Sequence, residues 1–197
     1  AWIDDVSVTQ DLGERLNLVH NPGFEQVAPG SPWPVGWEAP MDDQWVSWVG
    51  NEFRAPQRVG ASYSGQYAMR CTVTYADVSG LSQVVHLNQE AVRPIAIGLW
   101  AKLDNSIGNS AAGGGYYGSD NLPNLTIFVY HQDGTMQEVS PTFCLGESDH
   151  DWDYLRGGFI PQKPVARIRL QATVLGTEPT TSLWLDNVEA FELDSEG

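Results

Sequence analysis

The stretch Ala166-Arg167-Ile168-Arg169-Leu170-Gln171-Ala172 decides the fold. Its apolar members, Ala166, Ile168, Leu170 and Ala172, alternate one for one with Arg167, Arg169 and Gln171. A period of two puts the sets on opposite faces of an extended chain, one buried and one wet. Strands buried on one face belong to antiparallel sheets. The same period runs through Leu81-Ser82-Gln83-Val84-Val85-His86-Leu87, Ile95-Ala96-Ile97-Gly98-Leu99-Trp100-Ala101 and Leu125-Thr126-Ile127-Phe128-Val129-Tyr130. Turn signals such as Asn21-Pro22-Gly23, Ala28-Pro29-Gly30 and Gln132-Asp133-Gly134 separate the runs. The reading is all-β: a two-sheet antiparallel β-sandwich with no helix beyond single turns.

Composition agrees. The 197 residues include 20 Gly and 12 Pro, with only 18% charged side chains and 11% aromatics, the usage of short strands joined by many turns. Ten Lys and Arg against 25 Asp and Glu leave a net charge of −15. A field of that sign repels phosphate backbones and anionic headgroups, so neither nucleic acid nor membrane is an expected partner, and neutral ligands are favoured over polyanions. No apolar run approaches the ~18–20 residues of a membrane span. Two cysteines, Cys71 and Cys144, exclude a disulfide framework and a cysteine-rich zinc site. Cys71 shares a strand face with Met69 and Val73, which fits a buried thiol; a Cys71–Cys144 bridge is the alternative.

Two segments break the strand rhythm. Residues 104–124 form a long loop rich in Gly, Asn and Ser that carries the pair Tyr116-Tyr117, which either closes over a ligand or is merely mobile. Residues 29–50 hold Trp33, Trp37, Trp45 and Trp48, half of the eight tryptophans. The chain's start, Trp2-Ile3-Asp4-Asp5-Val6, matches Trp184-Leu185-Asp186-Asn187-Val188 without gaps. Residues 1–15 are accordingly expected to be the closing strand of a preceding module plus a linker, and 16–197 the module proper, within a tandem-module protein.

Seven motifs follow in order: Asn17 to Glu25 (NLVHNPGFE), Pro34-Val35-Gly36-Trp37, Ser64 to Arg70 (SGQYAMR), Leu81 to Val85, Ile97 to Lys102 (IGLWAK), Asp151 to Leu155 (DWDYL) and Leu183 to Val188 (LWLDNV). Together they resemble the β-jelly-roll carbohydrate-binding modules of the family 4, 9, 16 and 22 type, over nearly all of residues 16–193. The resemblance implies a secreted or cell-surface module that is not catalytic and binds polysaccharide through an aromatic-lined face or cleft, targeting an attached enzyme. It also implies a structural calcium held by Glu25 and Asp186 with backbone carbonyls. Calcium takes six to eight oxygens and accepts such a mixed set.

Ring placement selects the sugar platform. Alternation leaves Trp100, Phe128 and Tyr130 on the outward sides of their strands. With Trp45 and Trp48, which fall on no structural motif, Trp100 and Tyr130 are the expected platform, assisted by Arg169 and Gln171; Tyr116 and Tyr117 add a possible cover and Trp33 a reserve. Trp37, Trp184 and Trp152 fall on motif positions and read as structural. A structural or adhesive jelly-roll spacer is the alternative function, and a jelly-roll glycoside-cleaving enzyme a third. No nucleophile elbow, zinc helix or phosphate loop is present. The acidic run Glu147 to Asp153 imitates a calcium loop, but Tyr154 stands where that loop needs Gly and Ile160 where it needs Glu.

Overall fold

A computed structural model describes residues 16–40, 52–74, 77–104, 123–144, 150–175 and 180–193. The expectations for residues 1–15, Trp45, Trp48, Tyr116 and Tyr117 lie outside the described residues. Ten strands make up the described fold, with no helix among these residues: β1 (Glu52–Arg54), β2 (Gln57–Val59), β3 (Ala68–Val73), β4 (Asp77–His86), β5 (Ile95–Asp104), β6 (Asn124–His131), β7 (Met136–Cys144), β8 (His150–Phe159), β9 (Val165–Leu175) and β10 (Thr181–Glu192).

They form two five-stranded sheets. The first has the order β1-β4-β9-β6-β7, the second β2-β3-β10-β5-β8. All described pairs are antiparallel except β1 with β4. The chain is the β-sandwich that the alternation predicts. On β9, Ile168, Leu170 and Val174 are fully buried, whereas Arg167 is exposed and Arg169 half-buried. The same division on β4, β5, β6 and β10 sends Leu81, Ile97, Leu99, Ile127, Leu183 and Leu185 into one core between the sheets. Each such aliphatic side chain contributes roughly 1.5–3 kcal/mol by leaving water. Cys71 lies in this core as a free thiol, and burial pushes its pKa up to about 12.

The entry segment runs beside the last strand. Leu18 N donates to Ala190 O at 2.9 Å and Val188 N to Pro22 O at 3.1 Å. Asn17 fastens the two: its Nδ2 donates to Val188 O, and its Oδ1 accepts from Ala190 N. Trp37 is structural, buried against Phe24 at 4.9 Å with its indole N–H on Asn21 O at 3.1 Å. Trp184 and Trp152 are not core rings. Trp184 lies between the inward Leu183 and Leu185 and therefore faces out, half-buried, and Trp152 sits half-buried on β8, the edge strand of the second sheet.

Candidate functional site

The outward face of the first sheet is built in rows across β4, β9 and β6. Gln171 lies opposite Ser82 and Thr126, Arg169 opposite Val84 and Phe128, and Arg167 opposite His86 and Tyr130. Met136 of β7 extends the last row beyond Tyr130 and is exposed. The Arg167 guanidinium stands 4.7 Å over the Tyr130 ring, a cation–π arrangement. Arg169 donates to Glu38 Oε1 at 3.2 Å. Gln171 is only 2% exposed although its register position faces outward. Its Oε1 and the Arg169 Nε are buried without a hydrogen-bond partner. A buried polar atom left unpaired costs about 1–3 kcal/mol, so two side by side on one face require an explanation.

Trp100 does not join this face. It lies on β5, in the second sheet, and points away from the core, whereas Tyr130 points outward from the first. The two rings lie on opposite sides of the sandwich, so the platform expected to contain Trp100 with Tyr130, Arg169 and Gln171 is divided in two. Alternation gives the side of a residue's own sheet; it carries no information about which sheet the strand enters.

On its own face Trp100 has other rings for company. Tyr63, from the turn before β3, stacks on it with centroids 3.5 Å apart and planes at 12°. Tyr154 of β8 is its cross-strand neighbour, tilted at 5.3 Å, and Trp152 meets the Tyr63 ring edge-on at 6.2 Å. Tyr63 and Tyr154 escaped the sequence reading for different reasons. A turn residue has no periodicity to betray it, whereas Tyr154 required the β5–β8 register. Trp33, the reserve candidate, is occupied: it stacks on Phe53 and packs against the core.

Glu25 and Asp186 meet at one turn. Asp186 follows the inward Leu185, just before a register shift in β10 at which Asn187 has φ 44°, and its buried carboxylate meets the turn after β2. Asp186 Oδ2 accepts the N–H groups of Tyr63 at 2.9 Å and Ser64 at 3.0 Å, and Oδ1 accepts that of Asn187 at 2.8 Å. Glu25 Oε1 accepts from Gln66 N at 2.7 Å and Tyr67 N at 3.0 Å. Two carboxylates thus grip four amides of one turn around Gly65, whose φ of +66° and contact with Glu25 suit only glycine. Burial raises the Asp186 pKa above its ordinary value and the nearby Glu25 charge adds to it, against the three backbone donors.

These residues fit a hard divalent cation. A Cβ on Gly23 would stand 3.6 Å from Asp186 Oδ1 and 3.8 Å from Glu25 Cγ, so both acids border one small cradle. Arg58, the adjacent cation, donates to the carbonyls of Phe24 and Glu25 and makes no ion pair with either acid among the described residues. Among the described residues no third Asp, Glu, His or Cys joins them, so carbonyl and hydroxyl oxygens would complete the shell.

No family model matches the chain, and no curated protein matches it. Solved structures do. TmCBM61, determined in complex with β-1,4-galactotriose, matches over 90% of this chain and 99% of its own at 19% identity, with a TM-score of 0.50. The CBM22-1–CBM22-2 tandem domain of Paenibacillus barcinonensis Xyn10C matches over 92% of this chain and 47% of its own at 15% identity and TM-score 0.51. The enzymatically active domain of bacteriophage CBA120 tailspike protein 4 matches over 90% of this chain but only 21% of its own, at 13% identity and TM-score 0.58. The class is thereby defined: a jelly-roll β-sandwich of the fold that carbohydrate-binding modules use.

Proposed function

We propose that the chain is a non-catalytic carbohydrate-binding module that holds a polysaccharide against the outward face of β4, β9 and β6. The observation that carries the reading is the coincidence of the Tyr130 and Phe128 rings with two buried, unpartnered polar atoms, Gln171 Oε1 and Arg169 Nε, on one face. Pyranose C–H faces stack on aromatic rings, and sugar hydroxyls both donate and accept, so one ligand answers both needs where the side chains covering these two buried atoms part to admit it. The structure of TmCBM61 with galactotriose supports the ligand class.

A neutral glycan suits this face. The net charge of −15 opposes a polyanion, and Arg169 is already paired in part with Glu38. Calcium at Glu25 and Asp186 has a structural part in this reading, fastening the entry segment to the last strand and to the turn between them. Both acids already serve backbone amides, which supports a holding role over acid–base chemistry. The wider context we propose is a monomeric module in a secreted or cell-surface tandem protein, directing an attached enzyme to its substrate. A glycan array spanning β-glucans, xylans, mannans and galactans tests the function, and Tyr130→Ala tests the face. Binding to a neutral glycan that falls about tenfold or more in the variant, the order expected for one ring-stacking contact, supports both; silence across the array transfers the chain to the spacer reading.

A further inference from the structure

Tyr63 has one ring face on Trp100, yet 44% of the residue remains exposed. A ring stacked at 3.5 Å on one side can be that open only through its other face and outer edge. Tyr154, beside it, is 39% exposed, and Trp152 stands at its edge. Polar groups lie among these rings. The Tyr154 hydroxyl donates to Glu189 Oε2 at 2.7 Å, which fixes the carboxylate and leaves it lone pairs for further donors. Lys102 pairs with Asp151 at 2.9 Å, and Asn187 Nδ2 donates to Ser64 Oγ at 2.8 Å.

We propose that this outward face of the second sheet is a second glycan-binding site, with the free face of Tyr63 as its floor and Tyr154 and Trp152 as its flanks. The occupant is a pyranose unit of a neutral polysaccharide. The chemistry selects it over an apolar protein surface. The outward positions of β5 are Ala96, Gly98, Trp100 and Lys102, with no Leu, Ile, Val or Met to meet an aliphatic partner. A carboxylate such as Glu189 accepts from hydroxyls and rejects anions. Gly98 shows that the site has its own geometry: a Cβ there would overlap the Tyr154 hydroxyl and approach Glu189 Oε2 to 3.0 Å, so the bare glycine is what lets the Tyr154 ring lie across β5. Tyr63 is preorganised as well, since Asp186 holds its N–H and that of Ser64. The inference rests on the carbohydrate-binding reading, but not on the first face.

The test is titration calorimetry of the full chain with β-1,4-galactotriose, xylohexaose, mannohexaose and cellohexaose, on wild type, Tyr63→Ala, Tyr130→Ala and the double variant. Tyr63→Ala keeps the amide that Asp186 holds, and a thermal melt confirms that each variant is folded. Two equivalents of sugar on wild type, one on each single variant and none on the double variant would establish two faces. Gly98→Ala should then weaken the equivalent that Tyr130→Ala retains by about tenfold, the size of a lost ring contact. Loss of all binding in Tyr63→Ala, with Tyr130→Ala unaffected, would leave the second face as the site and refute the first. Loss of all binding in Tyr130→Ala alone would overturn the second face and keep the first. Binding unchanged in the double variant overturns both faces, and no binding of any probe by wild type overturns the proposal together with the reading beneath it.

Discussion

Asp186 holds the backbone N–H of Tyr63 at 2.9 Å, and directly across the ladder from Asp186 stands Trp100, the ring on which Tyr63 stacks. One buried carboxylate thereby links the candidate cation cradle, the turn before β3 and the aromatic face of the second sheet. A change in its charge is felt at all three.

The sign of its pH dependence follows from its raised pKa. A carboxyl whose folded pKa lies above the unfolded value of 3.8 favours the protonated folded form. Its stabilising contribution is complete below that value and is lost as pH rises through the folded pKa. In chelator, the melting temperature of wild type relative to Asp186→Asn should therefore be higher under acid conditions than at neutral pH. Excess calcium at neutral pH should raise the wild-type melting temperature and leave Asp186→Asn unchanged. Binding at 100 times the dissociation constant adds about 2.7 kcal/mol. An equal response of both proteins to calcium would remove the cation from this pair.

Gly98→Ala should spare the core and disturb the second face. The methyl meets the rigid end of the Tyr154 side chain on the solvent side of the sheet, so the ring must swing out and its bond to Glu189 must break. In wild type, partial burial and then that bond hold the Tyr154 pKa at about 12. Ultraviolet titration should show one tyrosine ionising near 12 in wild type and near the ordinary 10 in the variant. An unchanged titration curve would mean that the ring stays in place.

Legibility stopped where strand order began. The alternation in Ile95–Ala101 and Leu125–Tyr130 marks Trp100 and Tyr130 as outward, and both are. Consecutive in the chain, β5 and β6 enter different sheets, and that choice is made by pairings with β10 and β9, far away in sequence. Glu25 and Asp186 were legible as a pair only through resemblance, because 161 positions separate them and what joins them is a turn that both acids hold. The buried, unpartnered state of Gln171 has no local signal: its register position is a solvent position by period alone.

Cys71 should be silent to thiol reagents in the folded protein. The nucleophile is the thiolate, and a pKa of about 12 in a fully buried site leaves almost none at neutral pH. In a chain with Cys144→Ser, the reaction of Cys71 with a disulfide reagent should proceed only through opening of the sandwich and accelerate with denaturant. A fast reaction in native buffer would contradict the burial of β3.

Gln171→Leu separates function from stability. The folded protein retains the Gln171 carbonyl oxygen buried and unpaired, a cost of about 1–3 kcal/mol that an apolar side chain of similar size does not incur. The variant should be as stable as wild type or more so, because the residue is 2% exposed and the leucine replaces it without leaving a large cavity. A purely structural glutamine would behave in the opposite way, since losing a satisfied buried hydrogen bond destabilises. If the oxygen is instead kept for a sugar hydroxyl, the same substitution should weaken glycan binding by roughly tenfold, the factor that 1.4 kcal/mol of lost hydrogen bonding makes. Denaturant melts and calorimetric titration on one preparation give both numbers. Lower stability with unchanged affinity would make Gln171 a fold residue and take the first face's polar anchor away.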